Sequence, residues 1–192
     1  MKTKVRRKRS RQQNHQKRNW IPVGLLVVGV LLVAISLYSY LAGPSTAAAD
    51  TSYAPEDVAT TQPIFAVHEM NEGPPIPFLP KNQAQPDIQV PEKFYDFGTI
   101  GPQDVVEREF IIRNTGEAPL TISRAYTTCG CTTAEVSASV IPPGKVATVK
   151  LIFDAGFHDT AGQTVRRGII FENNDPGQSQ SEIWVQAQVR SN

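Results

Sequence analysis

"EIWVQAQVR" (Glu182 to Arg190) alternates without a break. Ile183, Val185, Ala187 and Val189 fall on one side, and Trp184, Gln186 and Gln188 on the other. Successive side chains of a strand point to opposite faces, so this period of two reads as a strand with one face in a core and one toward solvent.

The stretches before it repeat the pattern. "VVEREFIIRN" (Val105 to Asn114) puts Phe110 and Ile112 on one face, and "VATVKLIFDA" (Val146 to Ala155) does the same with Val149, Leu151 and Phe153. "PLTISRAY" (Pro119 to Tyr126) and "VRRGIIFENN" (Val165 to Asn174) are further strand candidates. Between them lie "NTGEA", "IPPGK" and "NDPG", whose Asn, Pro and Gly residues suit tight turns and φ > 0. After position 42 no 12-residue helical period occurs. Six or seven short strands within about 100 residues predict an all-β domain, an immunoglobulin-like β-sandwich, over residues 92–192.

The N-terminal part has a different character. Residues 1–19 carry nine Lys and Arg and no acid, which leaves ten basic against all 18 acidic residues in the remainder. The chain's formal charge of +1 is thus a basic tail joined to a body eight units negative. "WIPVGLLVVGVLLVAISLYSYLA" (Trp20 to Ala42) has no charge. As a helix it would reach roughly 33 Å, enough to cross the hydrocarbon of a bilayer. Trp20 near one end and Tyr38 and Tyr40 near the other suit the interfaces, and the preceding basic cluster is expected to stay cytoplasmic. A cleavable signal peptide shares this layout, with Ala47-Ala48-Ala49 as a cleavage site, but its apolar run is usually only about 7–15 residues. The expectation is one uncleaved transmembrane helix over 20–42, in contact with membrane lipid, and a C-terminal domain outside the cytoplasm. Beside a membrane span the basic tail reads as an orientation signal, so no nucleic acid partner is expected.

Residues 43–91 hold nine of the 15 prolines. This stretch, with "GPPIPFLP" (Gly73 to Pro80), predicts a semi-rigid proline-rich tether. "PIFAVHEM" (Pro63 to Met70) is more apolar and is expected to pack against the domain or the membrane surface.

Only two cysteines exist, in "AYTTCGCTTAEV" (Ala125 to Val136), with Gly130 between Cys129 and Cys131. In a strand, residues two apart share a side at about 6.6–6.8 Å between Cα atoms, the upper limit for a disulfide. A bend at Gly130 would bring the sulfurs together. The resulting ring is small, so the bond is expected to be easily reduced and to stabilise the fold little.

"DFGTI" (Asp96 to Ile100), "RNTGEAPLTI" (Arg113 to Ile122), "TTCGCT" (Thr127 to Thr132), "IPPGK" and "NNDP" (Asn173 to Pro176) occur here in the order of a bacterial family. Over residues 92–190 the chain resembles the family catalogued as domain of unknown function 1573. The resemblance implies a sandwich of the major-sperm-protein kind, usually exported, and no established activity.

Four roles fit the cysteine pair: structural or simply buried residues, a Cu(I) site, a redox pair, or zinc shared in a dimer. Two thiolates suit a soft ion of low coordination number. His68, Met70 and His158 are the further candidate ligands, although His68 also reads as a tether residue and His158 as a loop residue. A thioredoxin-like centre would need different spacing and a helix. Zinc prefers four ligands, which one chain does not supply here. No hydrolase, metalloprotease or phosphate-loop motif is present, so no catalysis is expected. Asp154, Asp159, Glu172 and Asp175 read as turn formers. Trp184, large and outward, is a candidate anchor for a partner, an envelope protein of unspecified identity. The leading expectation is a membrane-anchored, non-catalytic binding or scaffold module, with copper or thiol handling through Cys129 and Cys131 as the alternative.

Overall fold

A computed structural model describes residues 52–68 and 72–191. The expected transmembrane helix, 20–42, and Met70 lie outside these residues. Among the described residues no helix is long and apolar enough to cross a membrane.

Among the described residues, ten strands form two five-stranded sheets. They are β1 (Ile64–Ala66), β2 (Ile88–Gln89), β3 (Phe94–Ile100), β4 (Val105–Asn114), β5 (Leu120–Thr127), β6 (Thr132–Val136), β7 (Val140–Ile141), β8 (Val146–Asp154), β9 (Thr164–Asn173) and β10 (Gln180–Val189). The first sheet has the order β1-β6-β8-β4-β2 and the second β3-β10-β9-β5-β7. All pairings are antiparallel except β3 with β10. The fold is an all-β, two-sheet sandwich.

The period-two reading locates the core. Ile183, Val185, Ala187 and Val189 of β10 are each at most 1% exposed, and Val149, Leu151 and Phe153 of β8 face them as part of the same cluster. Burying each large aliphatic or Phe side chain is worth roughly 1.5–3 kcal/mol, so the alternation itself holds the sheets together.

The family-like motifs are turns and bulges. Lys145 N–H donates to the Pro142 carbonyl across "IPPGK", with Gly144 at φ 74° as that turn demands. In "DFGTI" the register of β3 against β10 slips between Gln186 and Gln188, and Gly98 at φ 69° takes up the extra residue. Asn114 is fully buried: its amide donates to the carbonyls of Ala118 (2.8 Å) and Ile141 (2.9 Å), and its oxygen accepts from Gly116 N–H. Asp175, read from sequence as a turn former, accepts from the backbone N–H of Ile88, Gly177 and Gln178, closing its own turn and pinning β2.

The structure departs from the sequence reading in three respects. The strands β1, β2, β3, β6 and β7 were not singled out from sequence; in β1, β2 and β7 two or three residues are too few to show a period. Two of them, β1 and β2, fall inside the stretch 43–91 expected as a tether. Ala66 of β1 is fully buried against the domain core, which answers the question raised by "PIFAVHEM". Finally, the cysteines do not lie in a strand. Thr128 to Cys131 connect β5 of one sheet to β6 of the other, so the pair stands on a corner where the chain changes sheets. Thr132 N–H donates to the Cys129 carbonyl across this corner, and the turn contracts the Cα separation to 5.3 Å.

Candidate functional site

The corner is held from three directions. Thr128 exchanges two hydrogen bonds with Gly168 of β9, giving its N–H to the carbonyl and receiving the Gly168 N–H on Oγ1. Asp154 N–H, at the end of β8, donates to the Cys131 carbonyl. Thr127 N–H donates to the Val67 carbonyl just after β1. Elements remote in sequence thus fix four residues.

Within this frame Cys129 and Cys131 form a disulfide. The two sulfurs differ in surroundings. Cys131 is 3% exposed, whereas Cys129 is only partly buried. Cys129 Sγ accepts the backbone N–H of Cys131 at 3.1 Å. Cys131 Sγ accepts Nε–H of Arg167 at 3.0 Å. No separate glycine reason is needed at position 130 beyond space: a Cβ there would stand 3.2–3.3 Å from the Phe157 ring, which covers the turn.

His158 follows Phe157 in the loop after β8, and the two rings meet edge to face at 4.8 Å. A ring nitrogen of His158 and the two sulfurs all lie within 4.8 Å of one another. Of the ligands expected from sequence, the fold therefore brings together Cys129, Cys131 and His158. His68 is not in this group: its Nδ1–H donates to the Thr127 carbonyl at 3.0 Å, fastening the strap that carries β1. Trp184 lies elsewhere, half-buried on the outer face of β10. A Cβ on Gly168 would come within 2.8 Å of its ring, and the Arg166 guanidinium sits 5.0 Å above it.

Arg167 escaped the sequence reading, yet a signal for it existed. In "VRRGIIFENN" it occupies the same phase as Val165, Ile169 and Phe171, all of which are buried. An arginine in a core phase requires a reason. Its guanidinium is held below the ordinary arginine value by burial and remains a cation. Among the described residues no carboxylate pairs with it; NH1 reaches only the neighbouring Arg166 carbonyl.

Residues 88–189 match the family described as "Protein of unknown function (DUF1573)". The chain belongs to this family. The DUF1573 region contains the whole cysteine corner, the His158 loop and Arg167, while β1 precedes it. No curated protein matches the chain. Among solved structures, a protein of unknown function from Porphyromonas gingivalis W83 is similar at 22% identity and a TM-score of 0.49, over 54% of this chain and 46% of that one. The PapD-like domain 7 of human CEP192 is similar at 11% identity and a TM-score of 0.41, over 65% and 99%. The E. coli chaperone DraB is similar at 8% identity and a TM-score of 0.36, over 55% of each chain. The chain thus spans less than half of the Porphyromonas protein.

Proposed function

We propose that this DUF1573 protein is a membrane-anchored, extracytoplasmic binding module that works without catalysis, its sandwich being of the major-sperm-protein kind. The uncharged segment 20–42 after nine basic residues supports the anchor and its orientation. One observation carries the binding role. On the outer face at the β1 edge lies a shallow cleft of about 280 Å³, lined by Phe65, Val67, Ala134 and Ile152 with Glu135 and Lys150 at its border. Phe65 is 68% and Val67 41% exposed. Two large exposed apolar side chains, one on an edge strand and one just after it, form the type of surface that partners cover. A photo-reactive residue at Phe65, activated in intact cells, is expected to give a discrete adduct with an envelope protein, lost in Val67→Ser. Absence of any adduct, or a C-terminal domain shielded from protease added outside the membrane, overturns this reading.

A second reading, copper or thiol handling, is favoured by the grouping of Cys129, Cys131 and His158. Once the disulfide is opened, two thiolates and one imidazole are a donor set suited to Cu(I). Anaerobic titration of the reduced protein with Cu(I) against a competing chelator tests the copper form. Binding is expected to disappear in the Cys129→Ser, Cys131→Ser double variant; equal binding by that variant removes the corner as the site.

A further inference from the structure

Among the described residues, Arg167 is a half-buried cation whose nearest acceptor, apart from the adjoining main chain, is a sulfur atom. Holding a charge away from water without an anion is unfavourable, and a neutral disulfide sulfur is a weak acceptor. The arrangement becomes favourable when Cys131 carries a negative charge, because a charge-assisted N–H···S⁻ bond then replaces the weak one. The neighbouring sulfur, Cys129 Sγ, accepts a backbone N–H and belongs to the less buried of the two cysteines. The disulfide is therefore electrically asymmetric, with its stabilised end inside and its accessible end outside.

From this asymmetry, and resting on the thiol-handling reading, we infer that the Cys129–Cys131 disulfide is a directional acceptor for a dithiol: an external thiolate attacks Cys129 Sγ, and Cys131 departs as a thiolate held by Arg167. In the first step the incoming thiolate forms a bond to Cys129 Sγ, the S–S bond breaks, and its electron pair stays on Cys131. In the second step the partner's other thiol, as thiolate, attacks its own sulfur in the mixed disulfide and releases Cys129. The partner's dithiol is oxidised to a disulfide and the corner is reduced by two electrons. Of the two protons leaving the partner, one ends on Cys129 and one goes to solvent, while Cys131 remains a thiolate. Exchange is faster when the departing thiol is the better-stabilised anion, which gives Arg167 a kinetic consequence as a positioning residue. The turnover is one dithiol per protein, so it fits a stoichiometric accessory role.

The test uses the full-length chain in detergent with two probe thiols. Glutathione, a monothiol, is added briefly, followed by an alkylating agent and peptide mass mapping. Glutathione is expected on Cys129 and the alkyl group on Cys131. Dithiothreitol then measures the opening rate. Arg167→Gln is expected to slow it on the order of tenfold and Arg167→Lys to restore most of it. In the reduced protein, alkylation of Cys131 is expected to move to higher pH in Arg167→Gln, a change that a merely structural arginine would not produce. Glutathione found on Cys131 as often as on Cys129, or a folded Arg167→Gln with an unchanged rate, overturns the inference while leaving thiol handling intact. A wild-type disulfide that dithiothreitol does not open removes both. Should Arg167→Gln fail to fold, the wild-type adduct position and the rate in Arg167→Lys decide.

Discussion

Arg167 Nε and Cys131 Sγ, 36 positions apart in the chain, meet at 3.0 Å inside one end of the sandwich. The arginine comes from a core-facing position of β9 and the cysteine from the corner between β5 and β6. A charge at such a position, with no carboxylate beside it among the described residues, is not expected to serve stability.

This relationship gives the first prediction. Arg167→Leu removes the charge and leaves an apolar side chain in its place. It is expected to leave unfolding free energy unchanged or raise it by about 1 kcal/mol. Urea denaturation monitored by circular dichroism measures the change. A loss of several kcal/mol would show that the arginine is a structural element after all.

The disulfide closes a loop of three residues, so it restricts the unfolded chain little. The Cys129→Ala, Cys131→Ala double variant is expected to fold normally and to lose about 1–2 kcal/mol by the chain-entropy relation. The shift of the urea midpoint at constant slope is the readout, and a collapse of the β-sheet signal would contradict the estimate.

Asn114 in the "RNTGEAPLTI" motif satisfies two buried carbonyls from two segments. Truncation in Asn114→Ala removes both of these donated bonds. A loss of about 1–3 kcal/mol is expected, the usual cost of leaving a buried polar group unsatisfied. A loss below 1 kcal/mol in the same denaturation experiment would mean that water replaces the amide there.

Gly168 lies beneath the indole of Trp184, with room for hydrogen only. Gly168→Ala forces the ring or the strand to move and is expected to cost about 1–3 kcal/mol. Because the ring is displaced from the strand surface, tryptophan emission should shift to the red. An unchanged spectrum together with unchanged stability refutes the close packing.

Asp57 binds the Lys145 ammonium at 2.8 Å, fastening the segment before β1 to the domain. Hydrogen bonding to Lys145 holds the Asp57 carboxyl below its ordinary value of 3.8. A folded-state value below the unfolded one means that this attachment is complete above pH 3.8 and is lost as pH falls through the folded value. Hydrogen exchange at Ala59, whose N–H donates to the Val146 carbonyl, should accelerate at pH 3 relative to pH 5 after correction for intrinsic rates. Equal protection at both values excludes the pair as the fastener.

The long strands and their faces could be read directly, because alternation is a property of consecutive residues. β10, β8 and β4 each carry enough residues to show it, and the inward positions read for them are buried. The cysteine pair was visible as an unusual local motif, but its geometry was not. The expectation of a strand at Cys129–Cys131 overlooked that Thr128 to Cys131 must carry the chain from one sheet to the other. The core phase of Arg167 was equally local and went unused, since the sequence does not say which side chain waits opposite.

By itself the sequence determined the β-rich domain, the inward faces of β4, β8 and β10, the opposed charges of tail and body, and the single pair of thiols. Tertiary structure alone decided that β1 closes a sheet edge, that His158 joins the two sulfurs while His68 does not, and that Arg167 faces Cys131. The physical reason is the range of the cause. Which face of a strand is buried depends on a period repeated over neighbours. Which groups meet at the end of a sandwich depends on the order of the strands and on how far each runs before it turns.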